Sequence, residues 1–418
     1  MKLLYRQTRK RNRGPESERA VSSAHSIFVN PADGRRGGIV IIAVLLIATS
    51  TMTITTDFYN DVINHYSAVR SQAEGYRAHS LAMAGFQAGL TALKMIPEEF
   101  LYTKGMVLNP PNIEMDKECD DSGEYCTHLF ITYRIQPEDG KLNLNNLVLT
   151  GDEPNEPFRK LLIRFFDRFQ QTLVEKEMDL NRDAEQRVNA LIDWIDLNTN
   201  EYGDGAESSY YDALRPPQKI KNSMLYNLSE LAVVRGFNRQ IVYEPLISEE
   251  WKNNRENRAS MTDEEKEMLQ DEDWIIANNL TAYVPYQASI DDKVNINAAR
   301  YHVLMSLSTG MTPEAVKALF KLRRDKNGYI KNLSELQDLP EFMASSSQTG
   351  LSLYQELVGT GGEISGLIKT QGAYYRVIGV GSVVRPTDNE EDKDVLGIRR
   401  VWGIYEKNSQ RLIYYAED

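Results

Sequence analysis

The chain has 418 residues, 41% hydrophobic and 26% charged, with two cysteines and a formal net charge of −12. That is globular composition with material for two or three modest cores, which excludes a disordered chain. Residues 1–38 carry nine Lys/Arg against three Asp/Glu, so the remainder is strongly acidic; this argues against nucleic acid as a partner and suits divalent cations or a basic surface.

Residues 1–34 read as a flexible basic leader, interrupted by Pro15 and Pro31, with nothing that could pack. Gly37 to Thr56, GGIVIIAVLLIATSTMTITT, is uncharged and entered through Arg35 and Arg36. About 20 apolar residues cross a bilayer as one helix, and the flanking arginines favour a cytoplasmic start with the rest exported. A long polar stretch precedes the segment and no small-x-small cleavage site follows it, unlike a secretory signal. From Asp57 to Ile96 there is no proline, and Phe58, Val62, Tyr66, Val69, Ala73, Tyr76, Leu81, Ala84, Ala88 and Leu93 recur at mostly three- and four-residue steps. The pattern predicts one helix from Ile39 to Ile96, about 87 Å long at 1.5 Å per residue. Its small residues Ala68, Ala73, Ala78, Ala82, Ala84, Gly85, Ala88 and Gly89 are expected to let a partner's helix approach closely.

Beyond Pro97 comes a proline-bounded loop to Asn112, then Cys119 and Cys126, expected to form a disulfide in an oxidising compartment, with two free thiols as the alternative. Leu129, Ile131, Tyr133 and Ile135 alternate as a half-buried strand should. The five histidines show no zinc-ligand spacing. From Glu156 to Ile364 the period is helical. Asn-Leu-Ser-Glu-Leu occurs at 227–231 and again at 332–336, either a capped start used twice or an internal repeat. Residues 248–273 are so charged that they read as a solvated excursion. After Gly361 three strand-like runs, AYYRVIGVGSVV, GIRRVWGIYEK and QRLIYYAED, are joined by polar turns, the first holding NEEDKD. The predicted class is therefore α+β: a long N-terminal helix against an antiparallel sheet, with about 215 residues of helices inserted between its first and last strands.

The strongest local signal is DLNTNEYGDGAE, which sets Asp196, Asn198, Asn200, Asp204 and Glu207 at positions 1, 3, 5, 9 and 12 of a loop. Hard cations take six to eight oxygens, and these are calcium spacings. Glu201 stands where the helix-loop-helix calcium pattern needs glycine, with glycines at 203 and 205 instead, so the turn must differ; an Asx-rich connection without metal is the alternative. Asp212 is a possible extra ligand. Asp193 and Asp196 could be imagined as an acid and base pair, but no nucleophile or histidine is near in sequence, and one ligand plus one cap explains them better. Gly379 and Gly381 in GVGS lie inside a strand pattern rather than a phosphate loop. Residues 293–342 resemble helix-hairpin-helix units, but residues 291–364 hold eight Lys/Arg against nine Asp/Glu, so protein packing is favoured over DNA binding.

Together the basic pair, Gly38, the apolar helix with VLL, LNLNNL, LIDWID, GAE, NLSELAVVRGF, VNINAA and the second NLSEL resemble the K minor pseudopilins of the type II secretion system, general secretion pathway protein K. The resemblance spans essentially residues 35–418; the long leader and the acidic stretch 248–273 depart from it. It implies a pilin-like fold with an inserted all-helical domain of helix-hairpin-helix or SAM-like units, divided as leader 1–38, helix 39–96, pilin-like residues 97–150, insert 151–364 and closing strands 365–418. It implies no enzyme, but an inner-membrane protein with a periplasmic domain, cut by prepilin peptidase between Gly38 and Ile39 and often N-methylated there. Its implied place is the pseudopilus tip, joined to minor pseudopilins I and J, through them to H and the major pseudopilin G, and to the inner-membrane secretion platform. Fibre-forming subunits of the superfamily carry glutamate where this chain has Ala43; a buried carboxylate needs a partner, so a subunit without one fits where nothing lies above it. A type IV pilus minor pilin or adhesin is the alternative.

Overall fold

The computed structural model describes residues 34–102, 111–119, 126–149, 152–176, 178, 183–248, 270–283, 293–326, 328–345, 349–359, 366–386 and 393–417. The leader before residue 34, most of the charged stretch 248–273 and the acidic turn 387–392 lie outside them. Two compact units are present, one reaching Val69 and one running from Arg70 to the end.

The described part of the first unit belongs to helix α1 (Gly34–Met95). Apolar side chains from Val40 to Ile63 lie exposed along it, and among the described residues α1 is the helix long and apolar enough to cross a membrane. Thr51, Thr53, Thr55 and Thr56 turn their hydroxyls back to carbonyls four residues earlier, which hides polar groups an apolar medium could not satisfy.

In the second unit, the C-terminal part of α1 packs on a five-stranded antiparallel sheet. Its strands are β1 (Ile113–Cys119), β2 (Cys126–Pro137), β7 (Tyr374–Pro386), β8 (Lys393–Glu406) and β9 (Arg411–Glu417), in that spatial order. The alternation read at Leu129–Ile135 becomes β2, with Ile131 and Ile135 buried. Glycines set the helix-to-sheet spacing. A Cβ on Gly379 or Gly381 would strike the α1 backbone at Ala82, Phe86 and Ala78, and one on Gly85 would come within 2.6 Å of the Thr132 carbonyl oxygen. Ala78, Ala82, Gly85 and Gly89 therefore face this chain's own sheet, which corrects their reading as a seam for a partner. Ala73 and Ala84 remain exposed. A disulfide joins Cys119 to Cys126 across the β1–β2 hairpin.

Adjacent strands β2 and β7, in register from His128↔Val384 to Pro137↔Tyr375, enclose the whole helical head. The head begins with β3 (Leu142–Asn143), parallel to β4 (Leu280–Thr281), and continues with β5 (Val294–Asn295), parallel to β6 (Ile368–Lys369). After the short helix α2 (Glu98–Leu101) that follows α1, helix α3 (Glu156–Glu175) buries Phe158, Phe165, Phe166 and Phe169 on one stripe, and α4 (Ala184–Ile195) buries Val188, Leu191 and Ile192 against the same core.

The two Asn-Leu-Ser-Glu-Leu segments are short 3-10 helices, Leu228–Val233 and Leu333–Asp338, each closed by a capping box. The parallel goes further than five residues. Asn145 donates to the Leu225 and Ala282 carbonyls and accepts from the Leu225 amide. Asn297 donates to the Ile330 and Thr370 carbonyls and accepts from the Ile330 amide. Leu225 and Ile330 each stand two residues before their motif. Lys221 pairs with Glu230 at 2.6 Å and Lys326 with Glu335 at 3.0 Å, each nine residues apart. The head thus contains two modules pinned by the same side-chain-to-backbone bridges.

Candidate metal centre and assembly face

The acidic loop starts where α4 ends. Asp196 is the C-terminal cap residue of that helix, and its backbone amide donates to Ile192. Asp193, one turn earlier, accepts from the Tyr202 amide at 2.8 Å and the Ala206 amide at 2.5 Å, so it folds the loop back over the helix end. Both glycines that broke the calcium pattern serve this closure: Gly203 has φ +57°, and a Cβ on Gly205 would collide with the Asp193 carboxylate.

Of the five sequence-derived ligands, Asp196 and Glu207 are buried, Asn198 is half-buried, and Asn200 and Asp204 are exposed, as is Asp212. Asn198 donates to Asp196 Oδ2 and accepts from the Asn200 amide. Asp196 Oδ1 and Glu207 Oε1 are buried without a hydrogen-bond partner. Burial raises the Asp196 carboxyl to about 7, helped by repulsion from Asp193, Glu207 and Asp152. Burial likewise raises Asp193 to about 6, against the two amide hydrogen bonds it accepts, with Glu207 and Glu201 adding repulsion. Among the described residues no three His, Cys, Asp or Glu side chains are gathered closely enough to hold a metal ion. The five-residue set is thus not gathered; Asp196 instead feels the charges of Asp193 and Glu207. The two orphaned carboxylate oxygens are the donors this loop offers a hard cation. Sequence spacing missed Asp193 as an organiser, since a residue that caps two distant amides leaves no periodic mark.

Comparison with known proteins bears on the domain that holds this loop. Residues 140–247 match the model of a family described as type II secretion system (T2SS), protein K. Over these residues the chain is similar to the protein K family. The matched segment starts at Gly140, where the chain leaves the sheet, and contains the loop and most of the first of the two modules. A protein K relative from Aeromonas hydrophila, named type II secretion system protein K, is 25% identical over 227 residues. That alignment covers 50% of this chain and 62% of the relative, so the chain spans less than two thirds of that protein's length. A solved structure titled as the crystal structure of the GspK-GspI-GspJ complex from the enterotoxigenic Escherichia coli type 2 secretion system is similar at 12% identity and a TM-score of 0.41, covering 84% of this chain and 99% of that one.

Proposed function

We propose that this chain is a minor pseudopilin of a type II secretion system, acting without catalysis as the tip subunit that starts and caps a periplasmic pseudopilus. The family match at residues 140–247 carries the reading. An apolar helix, and an antiparallel sheet packed on the C-terminal part of α1, support a pilin-like fold, and the tandem modules of the head are taken as its SAM-like or helix-hairpin-helix units. In this reading residues 1–38 are the leader, prepilin peptidase cuts after Gly38, and Ile39 becomes the N-terminus in the inner membrane. Ala43 offers no carboxylate to a subunit above, and a head inserted between β2 and β7 is too bulky for the shaft.

Partners in this proposal are the I- and J-type minor pseudopilins, seated on the face of α1 that the sheet leaves free. Cysteine placed at Ala84 should crosslink to those two subunits in membranes. Repeated crosslinks to copies of this chain would overturn the tip placement. Gly85→Leu should disrupt the protein's own helix-to-sheet packing, whereas Ala84→Leu should leave the fold intact and weaken assembly. N-terminal sequencing of the membrane protein should begin at Ile39. Calcium is the proposed ligand of Asp196 and Glu207, with Asn198, Asn200 and Asp204 completing the shell.

A further inference from the structure

Where the chain leaves the sheet and where it returns, two consecutive carboxylates gather the traffic. Glu138 is fully buried and accepts from Arg376 Nη2 at 2.8 Å, Arg376 Nε at 3.0 Å and Lys141 Nζ at 3.0 Å. Arg376 lies in β7, and its guanidinium also covers the rings of Tyr283, from the end of the first module, and Trp402, from β8. Asp139 accepts from the Ala373 amide at 2.7 Å, pairs with Lys369 Nζ at 3.1 Å, and presents its backbone carbonyl to the Asn295 amide. Asn295, opening the second module, donates onward to Tyr102 Oη at 2.8 Å, just beyond the end of α1. Gly140 follows at once, and a Cβ there would overlap Ala298.

A buried ion pair is a poor source of stability, because desolvation offsets its attraction. What such a pair does supply is geometric definition: removing one partner leaves the other charged and dry. We propose that Glu138 and Asp139 form a mechanical joint that makes the sheet and both modules of the head one cooperative body. Its use, on the proposed pseudopilin reading, is that displacement of α1 carries the head without a yielding hinge.

Hydrogen exchange read by mass spectrometry on the full-length protein in detergent tests the joint. In the wild type, the slowest amides of β7, α3 and helix Pro313–Asp325 should open together, with one shared protection. A head that exchanges independently of the sheet overturns the proposal before any variant is made. Glu138→Gln should accelerate exchange at least tenfold in residues 138–148, 294–299 and 368–378, leave the centre of α3 unchanged, and split one thermal transition into two. Wild-type exchange at these junction amides with a single transition also overturns it. Asp139→Asn, which keeps the Glu138–Arg376 pair, replaces Glu138→Gln if that variant does not fold, and Glu185→Gln on the surface is the control. None of this requires partner subunits, so the joint and the pseudopilin assignment fail separately: lost Ala84 crosslinks with normal exchange strike only the assignment.

Discussion

The two modules of the head share their pins and differ in their charge. In the first, α4 ends in Asp193 and Asp196, and the chain needs the long acidic loop to reach Lys221 and the Asn145 bridge. In the second, helix Pro313–Asp325 ends in Arg323 and Arg324, and Lys326 follows directly. Arg323 is buried, and its guanidinium donates to the Ile296 and Ala299 carbonyls. The second module thus places a buried guanidinium at this helix end. The first leaves two carboxylate oxygens without a hydrogen-bond partner, which is why calcium is proposed for that module alone.

The sharpest test of the likeness removes the shared pin. Asn145→Ala and Asn297→Ala each strip partners from three buried backbone groups, and unsatisfied buried groups cost about 1–3 kcal/mol apiece. Each variant should lose about 3 kcal/mol or more in denaturant unfolding. A large loss in one and none in the other would break the equivalence. Acid should act at the joint rather than at the pins. Burial alone would raise Glu138, but Arg376 and Lys141 overrule it and hold it at about 2 against an ordinary 4.5. Lys141 is itself lowered to about 8, because burial and the nearby Arg376 outweigh its carboxylate partner. The depressed Glu138 value makes its contribution fully present above pH 4.5 and lost as pH falls from 4.5 towards 2. Exchange should therefore rise first at the junction residues 138–148, 294–299 and 368–378, while the Asn145 and Asn297 bridges hold no titratable group.

Calcium should act one-sidedly. Saturation stabilises by RT ln(1 + [Ca]/Kd), roughly 2.7 kcal/mol at a hundredfold excess over Kd. A chelator should lower the melting temperature and loosen residues 193–224 without affecting residues 313–343. If Asp196→Asn with Glu207→Gln responds to the chelator as the wild type does, the loop is a turn and not a metal centre. The smallest effect belongs to the capping carboxylates. Glu230→Gln and Glu335→Gln should each cost about 1 kcal/mol. The Glu335 change should be the milder, because its lysine is more exposed.

Much of the sheet was legible, since alternation along β2 and β7–β9 is a local signal. The doubled Asn-Leu-Ser-Glu-Leu was visible too, but its meaning was not. The bridges that prove the likeness run from Asn145 to Leu225 and from Asn297 to Ile330, across different sequence separations and between dissimilar neighbours. Small residues on α1 announced a close approach without saying to what. Ala84 and Gly85 are adjacent in sequence and point to different surroundings, and only the glycines of β7 reveal that Gly85 meets its own sheet. In the acidic loop, spacing found Asp196 and Glu207 but also Asn200 and Asp204, which lie exposed.

The adjacency of β2 and β7 has a consequence in time. A ribosome delivers β2 long before β7, and the sheet cannot complete itself until the entire head has been made. Until then β2 has only β1 beside it, and Ala78, Ala82 and Phe86 of α1 have no glycine bed to lie on. Pairings this distant are slow to close when the intervening chain is loose, yet a folded head brings its two ends together at Glu138 and Tyr374, where an amide-to-carbonyl bond of 2.8 Å joins them. The order of assembly this favours is head first and sheet last, so a chain cut short before residue 374 should yield a folded head on a helix that has nowhere to dock.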